Sequence, residues 1–415
     1  MDPRDLSIAD HTYPLPDGRI AQVPLAERDA SRLLQYRQGV ITDHVFRDLP
    51  DLLPAGALLV LNNTRVVNAR IVMHRDSGAR VEVLCLEPAD QLPVEMAFAR
   101  TGTAVWNAFV GNAKRWRADE ELVLQHTATD PRDDDHTSAV TTTLRARRVG
   151  TDQVAFSWEP AQLTFAEVLD RVGHVPLPPY MKRPDEATDR ERYNTVFARN
   201  EGSVAAPTAS LHFTPAVLDR LQARGITRTE LTLHVGAGTF LPVKSERMAD
   251  HVMHGEQVRI PLEALEAMRA QVGHAPIVAV GTTALRTMES IYWHGVALLN
   301  GSASQELLVG QWEPYEPRDK ELPTAGEALD AVIDQVRALP ERRLTGRTEL
   351  LIAPGYQVRL ADALVTNFHQ PQSTLLLLVS AFIGDDWRRV YQHALDSDYR
   401  FLSYGDSSLL WRNGY

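Results

Sequence analysis

The 415-residue chain has one cysteine, Cys85, which excludes an internal disulfide and any zinc site built mainly on thiolates. It also lacks a long apolar run. The longest, Leu375 to Val379 with Ala381 to Ile383 after one serine, falls far below the roughly 18 residues that span a bilayer. The opening MDPRDLSIADH has no apolar core of the signal-peptide kind. The expectation is a cytoplasmic protein, in a compartment where thiols stay reduced. Nor is there an excess of basic residues. A formal net charge of −11 excludes general nucleic-acid affinity, although screening confines a charge's field to about 8–10 Å and leaves room for a local basic patch.

Several motifs are missing as well. No GxxxxGK[ST] sequence offers a P-loop, and the 14 histidines include no HExxH pair. GAGTFL at 236–241 lacks the third glycine of a dinucleotide fingerprint and meets Pro242 instead of a helix. His251, His254 and Glu256 have a spacing that could ligate a metal on a helix, but a polar surface turn is the better account of them. No metal site is expected.

What remains is ordinary globular material, 44% hydrophobic and 23% charged, in a chain long enough for a large core and two domains. From about Arg70 to Trp158 the segments RIVMH, RVEVLCLEP, VEMAFA, VWNAFVG, ELVLQH, TTTLRARRV and QVAFSW are all strand-length. In the last, Val154, Phe156 and Trp158 alternate onto one face. Turn-rich or acidic pieces such as TDPRDDDH separate them, which predicts an all-β unit, a small barrel.

After about Thr164 strands and helices alternate. Thr214 is a candidate N-cap with Pro215 at the first helical position, and Gly225 closes the helix AVLDRLQAR. LTLHVGAGTF reads as a strand and PLEALEAMRAQ as a helix. PIVAV reads as a strand that enters a helix through Gly281-Thr282-Thr283. GEALDAVIDQVRAL, STLLLLVSAFIG and WRRVYQHAL read as helices, and SLHF, ELLIAPGY, DALVTNFH and FLSYGD as strands. This alternation argues for a parallel sheet, open or closed into a barrel. LLVLNNTRV in the first 65 residues supplies one more strand of that body.

Polar residues gather at the downstream ends of these strands: Asn62, Asn63 and Arg65; His212; His234, Gly236 and Gly238; Gly281, Thr282 and Thr283; Tyr356; Asn367 and His369; Tyr404 and Asp406. In α/β folds that edge is where ligands bind. A single histidine there serves equally well as a hydrogen-bonded structural residue, but structural residues have no reason to share an edge. The Gly-Thr-Thr turn, at the positive end of a helix dipole, suits a phosphate or carboxylate, and simple N-capping is compatible with that. The stretches AKRWR at 113–117 and MKRP at 181–184 offer cations, and in the first case an aromatic ring, to an RNA backbone and bases.

Taken together, the stretches IAQVPLAERDASRLL, PLPPYMKR, DRERYNTVFA, EGSVAAPTASLHFT, LTLHVGAGTFLPVK, VAVGTTALRTMES, PGYQV, TNFHQPQSTLLLLVSAF and YRFLSYGDSSLL resemble the S-adenosylmethionine:tRNA ribosyltransferase-isomerases of queuosine synthesis. The resemblance runs from residue 20 to 410 in the family's order. It implies an α/β, β/α-barrel-like body, residues 1–68 and 162–415, with an inserted small antiparallel β-barrel, residues 69–161. It further implies that S-adenosylmethionine is consumed as a ribosyl donor without a separate cofactor. The acceptor would be 7-aminomethyl-7-deazaguanine at the tRNA wobble position, and the products epoxyqueuosine, adenine and methionine. His212, His234 and His369 are then the acid–base candidates, with His212 and His234 expected on neighbouring strand ends facing one pocket. Lys182, Arg183, Tyr193, Ser203 and Arg286 join the strand-end residues as substrate-binding candidates. Asn63, Ser210, Gly111-Asn112, Gly255 and Gln370-Pro371-Gln372 depart from the family's commoner residues. A paralogue acting on another amine, or a non-catalytic tRNA-binding protein, are the rival readings.

Overall fold

A computed structural model describes residues 2–117, 120–129, 139–236, 243, 245–318, 320–412 and 414. The chain opens with a hairpin, β1 (Arg32–Arg37) and β2 (Val40–Val45). Its turn, Gln38-Gly39, has φ of 50° and 80°, the double positive φ that tight hairpins require. After α1 (Leu49–Leu52), β3 (Leu58–Asn62) and the short β4 (Thr64–Val66), six strands follow: β5 (Arg70–His74), β6 (Arg80–Pro88), β7 (Thr103–Gly111), β8 (Glu121–Thr129), β9 (Ala139–Arg148) and β10 (Gln153–Glu159). They pair antiparallel in the order β5-β6-β7-β10-β9-β8, and β5 lies beside β8, so the sheet nearly closes into the expected small barrel. Between β6 and β7 lies a helix, α2 (Val94–Phe98). This corrects the reading of VEMAFA as a strand: Pro93 stands at its N-cap and Glu95 in its first turn, which outweigh the alternation of its apolar residues.

The next helix, α3 (Phe165–Val172), begins at a capping box in which Thr164 and Glu167 each accept from the other's backbone amide. Phe165 packs against Phe98, Trp106, Phe156 and Trp158, so α3 plugs the barrel.

The body follows with α4 (Asp189–Arg192), β11 (Asn200–Ser203), α5 (Pro215–Ala223), β12 (Thr227–Leu233), β13 (Glu256–Pro261), α6 (Leu262–Gln271), β14 (Ile277–Val280) and α7 (Thr282–Leu299). It ends with β15 (Leu307–Val309), α8 (Ala325–Ala338), β16 (Arg343–Thr348), β17 (Ala363–Asn367), α9 (Thr374–Ile383), α10 (Trp387–Asp396) and β18 (Ser407–Trp411). One ten-stranded sheet has the order β15-β16-β13-β12-β3-β14-β17-β18-β1-β2. Its centre, β12-β3-β14-β17, is parallel, while β13, β18 and β1 run the other way. Among the described residues no pairing joins β15 to β2, so the sheet is open and mixed where the family resemblance implied a barrel-like body. The hairpin β1-β2 and the return of β18 end the parallel run.

Both faces of the central strands are buried. Leu58, Val60, Ala279 and Leu364 join one core under α6 to α10, and Leu59, Leu61, Val280 and Val365 join another under α1 and α5. Continuous apolar strands are what a sheet covered on both sides demands. SLHF and LLIAPG, read as strands, form a 3-10 turn and irregular chain, and FLSYG is a turn leading into β18.

Helices α7 and α8 pack so closely that a Cβ on Gly295 would meet the Ala328 carbonyl oxygen at 2.3 Å. Gly295→Ala gains about 1 kcal/mol in helix propensity, yet overpacking against a backbone atom costs typically 1–3 kcal/mol. The expected result is a lower urea midpoint. An unchanged or raised midpoint would mean that the two helices are not held at this distance.

Candidate active site at the sheet edge

The four parallel strands end at one edge, and β18, running the other way, begins there. The topology therefore brings together Asn62, His234, Thr282, Asn367 and Asp406. Asn62 fastens the edge. Its side-chain oxygen accepts from the amides of Leu233 at 3.0 Å and Thr64 at 3.2 Å, and its nitrogen donates to the Leu233 carbonyl at 3.0 Å and to Thr283 Oγ1 at 3.3 Å.

At the centre of the edge a hollow of about 80 Å³ is bordered by Thr282, Thr283, Arg286, Asn367 and His369. At roughly 10–15 Å³ per water-sized group, that is room for the head of an amino acid. Helix α7 opens on it from Gly281, at φ 92°, without a side-chain cap on its first amides. Arg286, one turn further along, is buried. Its Nη1 donates to Glu256 at 2.5 Å and its Nε to the Leu350 carbonyl at 3.2 Å, while among the described residues Nη2 has no partner. Asn367 Oδ1 is likewise unpartnered. An uncapped helix N-terminus beside a spare guanidinium donor is a site for a carboxylate or phosphate. His369 Nε2 lies 2.8 Å from Thr366 Oγ1, and burial pushes its pKa down to about 3, so it is neutral at pH 7.

His234 faces a second and larger space, a cleft of about 380 Å³ between the barrel and the body. Its Nδ1 is 3.0 Å from Thr64 Oγ1, and its Nε2 is 3.5 Å from Glu95 Oε1 on α2. The imidazole contact, with Arg259 at 3.3 Å, holds the Glu95 carboxyl down to about 2. Gly202 makes room for the ring: a Cβ there would lie 2.7 Å from the imidazole. Val235 borders both spaces, so the hollow and the cleft are neighbours across one residue.

His212 is elsewhere, which corrects the expectation of one shared pocket. It ends a 3-10 turn under Phe46, with Nδ1 2.8 Å from Ser31 Oγ and Nε2 3.4 Å from Asn367 Nδ2. Burial takes its pKa down to about 3. A short turn after Pro207 replaces the expected strand and turns the ring inward.

The remaining candidates divide. Ser203 Oγ accepts from the Val235 amide at 2.8 Å and so shapes the wall between the two spaces. The Gly236 amide donates to Glu256 Oε1 at 3.3 Å. Asn63 turns away to Glu230, Asn200 and Thr232. Arg65 is exposed beside Glu201, and Lys182 is exposed on Asp17. Arg183 and Tyr404 are both bound to Asp189, and Tyr193 packs edge-on against Tyr404. Tyr356 is in the core, donating to Glu289 at 2.7 Å. Asp406 accepts from the amides of Arg32 and Arg400. Gly238 lies outside the described residues. Trp116 of AKRWR belongs to the barrel core, not to a surface for bases. Glu95 and Glu256 were missed as members of the site. Glu95 was hidden in a segment read as a strand, and Glu256 was weighed only with His251 and His254. Among the described residues no cluster of three His, Cys, Asp or Glu side chains could hold a metal ion.

A two-sided α/β sheet whose one edge gathers a buried guanidinium, an uncapped helix start and a His–Glu contact has the layout of an α/β enzyme with its site at the strand ends. The sequence model described as queuosine biosynthesis protein matches residues 8–410. An S-adenosylmethionine:tRNA ribosyltransferase-isomerase of Azoarcus sp. (strain BH72) is 40% identical over 412 residues, 99% of each chain. A crystal structure of an S-adenosylmethionine tRNA ribosyltransferase from Thermotoga maritima aligns with 97% of this chain and 99% of that one, at 26% identity and a TM-score of 0.45. The chain belongs to the queuosine biosynthesis protein family.

The two histidines of the original pair should now behave differently. His234→Ala should cut the catalytic rate per folded molecule by about 10²-fold or more, as for a positioned acid–base group. His212→Asn should leave that rate near normal and act on stability instead. Unfolded, His212 titrates near 6.5; folded, near 3. Stability is therefore full above about pH 6.5 and falls by up to about 1.4 kcal/mol per pH unit as the pH drops toward 3. His212→Asn should flatten that acid limb in urea titrations. A His212 variant with normal stability and a large rate loss would reverse the assignment.

Proposed function

We propose that the chain transfers and isomerises the ribosyl moiety of S-adenosylmethionine onto 7-aminomethyl-7-deazaguanine at the tRNA wobble position. The modified tRNA then carries epoxyqueuosine, and adenine and methionine are released. Full-length family membership supports the reaction class. The observation that carries the reading to this site is the buried, unpartnered Arg286 Nη2 beside the uncapped start of α7. The methionyl carboxylate of the donor is the anion it suits, and Thr282 and Thr283 add hydroxyls at the same place.

From that anchor the reacting ribose falls beside Val235, next to His234. His234 and Glu95 then move the protons that the amine and the ribose give up, and His369, neutral in its buried setting, lines the donor side. No separate cofactor and no stable protein partner are needed in this reading. Residues 69–161 act as an inserted domain that supplies Glu95, and a tRNA substrate places the work in the cytoplasm. No helix among the described residues is long and apolar enough to cross a membrane.

The experiment is incubation with S-adenosylmethionine and tRNA carrying the aminomethyl precursor, followed by chromatography of free adenine and mass spectrometry of the nucleosides. Adenine release should require the modified tRNA, match epoxyqueuosine formed one to one, and survive a chelator. Methyl transfer to the tRNA, or a strict metal requirement, would refute the proposal.

A further inference from the structure

Small barrels put apolar side chains inside and polar ones outside, and one wall of this barrel does not. On β6, Val81, Val83 and Cys85 point into the core, yet Leu84 and Leu86 point outward into the cleft. A bulge between Cys85 and Glu87 turns Glu87 to the same side. Phe109 of β7, directly opposite Leu84, is 65% exposed and lines the cleft mouth. Pro176, Leu177 and Pro179 form the facing wall. Apolar side chains thus line the slot from both the barrel and the body, with charged residues among them, and His234 borders it.

The end of β7 adds a second, independent feature. After Gly111 a single 3-10 turn presents Lys114 and Arg115 to solvent, and neither makes an ion pair among the described residues. Trp116, buried in the barrel and donating to the Glu120 carbonyl at 3.0 Å, anchors the turn. Arg70 and Arg347, which also line the cleft, are paired to Glu82 and Glu87. On a chain of net charge −11, two cations unpaired among the described residues, five and six residues along the chain from an exposed ring, are a local exception. Cations beside an exposed aromatic are how single-stranded nucleic acid is held, since every base has a face to stack and every phosphate a charge.

We infer that this wall seats the tRNA: the acceptor base, turned out of its stack, lies on Phe109 inside the cleft, and the phosphates flanking it run past Lys114 and Arg115. The inference rests on the ribosyl-transfer reading. It chooses the acceptor base over the donor's adenine because the cations accompany a polyanion, and because the donor's carboxylate already has its seat on the other side of Val235. Enzymes that act on a base in a folded nucleic acid must expose it in this way.

The test is steady-state kinetics with each substrate varied in turn, on wild type, Phe109→Ala, Phe109→Trp, and the double variant Lys114→Ala with Arg115→Ala. Val123→Ala, on the exposed face of β8, serves as a control. Phe109 is exposed, so its truncation should leave the thermal midpoint unchanged. Phe109→Ala should raise KM for tRNA about tenfold or more, the size of one lost base–aromatic stack, and leave KM for S-adenosylmethionine within about twofold. Phe109→Trp should restore the wild-type value. The double variant should weaken tRNA binding and lower its log–log salt slope by about one to two. A rise in KM for S-adenosylmethionine instead would seat the adenine on Phe109 and overturn the inference, as would an unchanged KM for tRNA. An inactive wild type would remove the ribosyl-transfer reading itself, and this assignment with it.

Discussion

The buried ion pair between Arg286 and Glu256 organises the sheet edge. Both side chains are 5% exposed and their charged atoms are 2.5 Å apart. Taking two charges out of water earns little net stability, but removing one partner typically costs about 3–5 kcal/mol, because the other is stranded. The pair therefore fixes geometry more than it adds stability. It ties the second turn of α7 to the start of β13, and through Glu256 Oε1 it holds the Gly236 amide. The segment from His234 to Gly236 becomes a fixed partition, with a polar hollow on one side and an open cleft on the other. One guanidinium nitrogen is left without a partner among the described residues, and the proposed function gives it the donor's carboxylate.

The inserted barrel completes the site. Phe165 and its neighbours on α3 pack apolar side chains into it, and around the cleft polar contacts join it to the body: Val94 N donates to Gln257 at 3.2 Å, Arg259 meets Glu95 at 3.3 Å, and Arg347 meets Glu87 at 3.3 Å. Neither part alone contains the His234–Glu95 couple. Thr64, Gly202 and Glu95 meet the imidazole from three separate stretches of chain, so the couple exists only in the assembled fold.

Much of this was legible in the sequence where local chemistry and pattern agree. The barrel strands declared themselves by alternation, as at Val154, Phe156 and Trp158. The helix Pro215–Ala223 declared itself by the Thr214-Pro215 start and the Gly225 stop, whereas the caps at Thr164 with Glu167 and at Ser373 emerged only in the structure. The strand-end clustering of Asn62, His234, Thr282 and Asn367 follows from the parallel run and holds. What was not legible depends on long-range partners. His212 and His234 have similar sequence surroundings, and only the fold buries one under Phe46 and turns the other to a cleft. Glu95 gained a role because α2 docks beside β12's end, and Glu256 because it faces Arg286. The sheet's openness depends on where β18 and the β1–β2 hairpin pair, which no strand–helix alternation encodes.

The central claim is that the spare donor of Arg286 and the bare start of α7 hold the donor's carboxylate. The most direct measurement compares kcat/KM of the wild-type enzyme for S-adenosylmethionine and for its decarboxylated form, with the same modified tRNA. Hydrogen bonds to a charged group contribute about 1.5–3 kcal/mol, so the account predicts a preference for S-adenosylmethionine of roughly tenfold to a hundredfold or more. Equal use of the two donors would contradict it, since the account gives the Arg286 Nη2 donor and the first amides of α7 no other acceptor than the carboxylate.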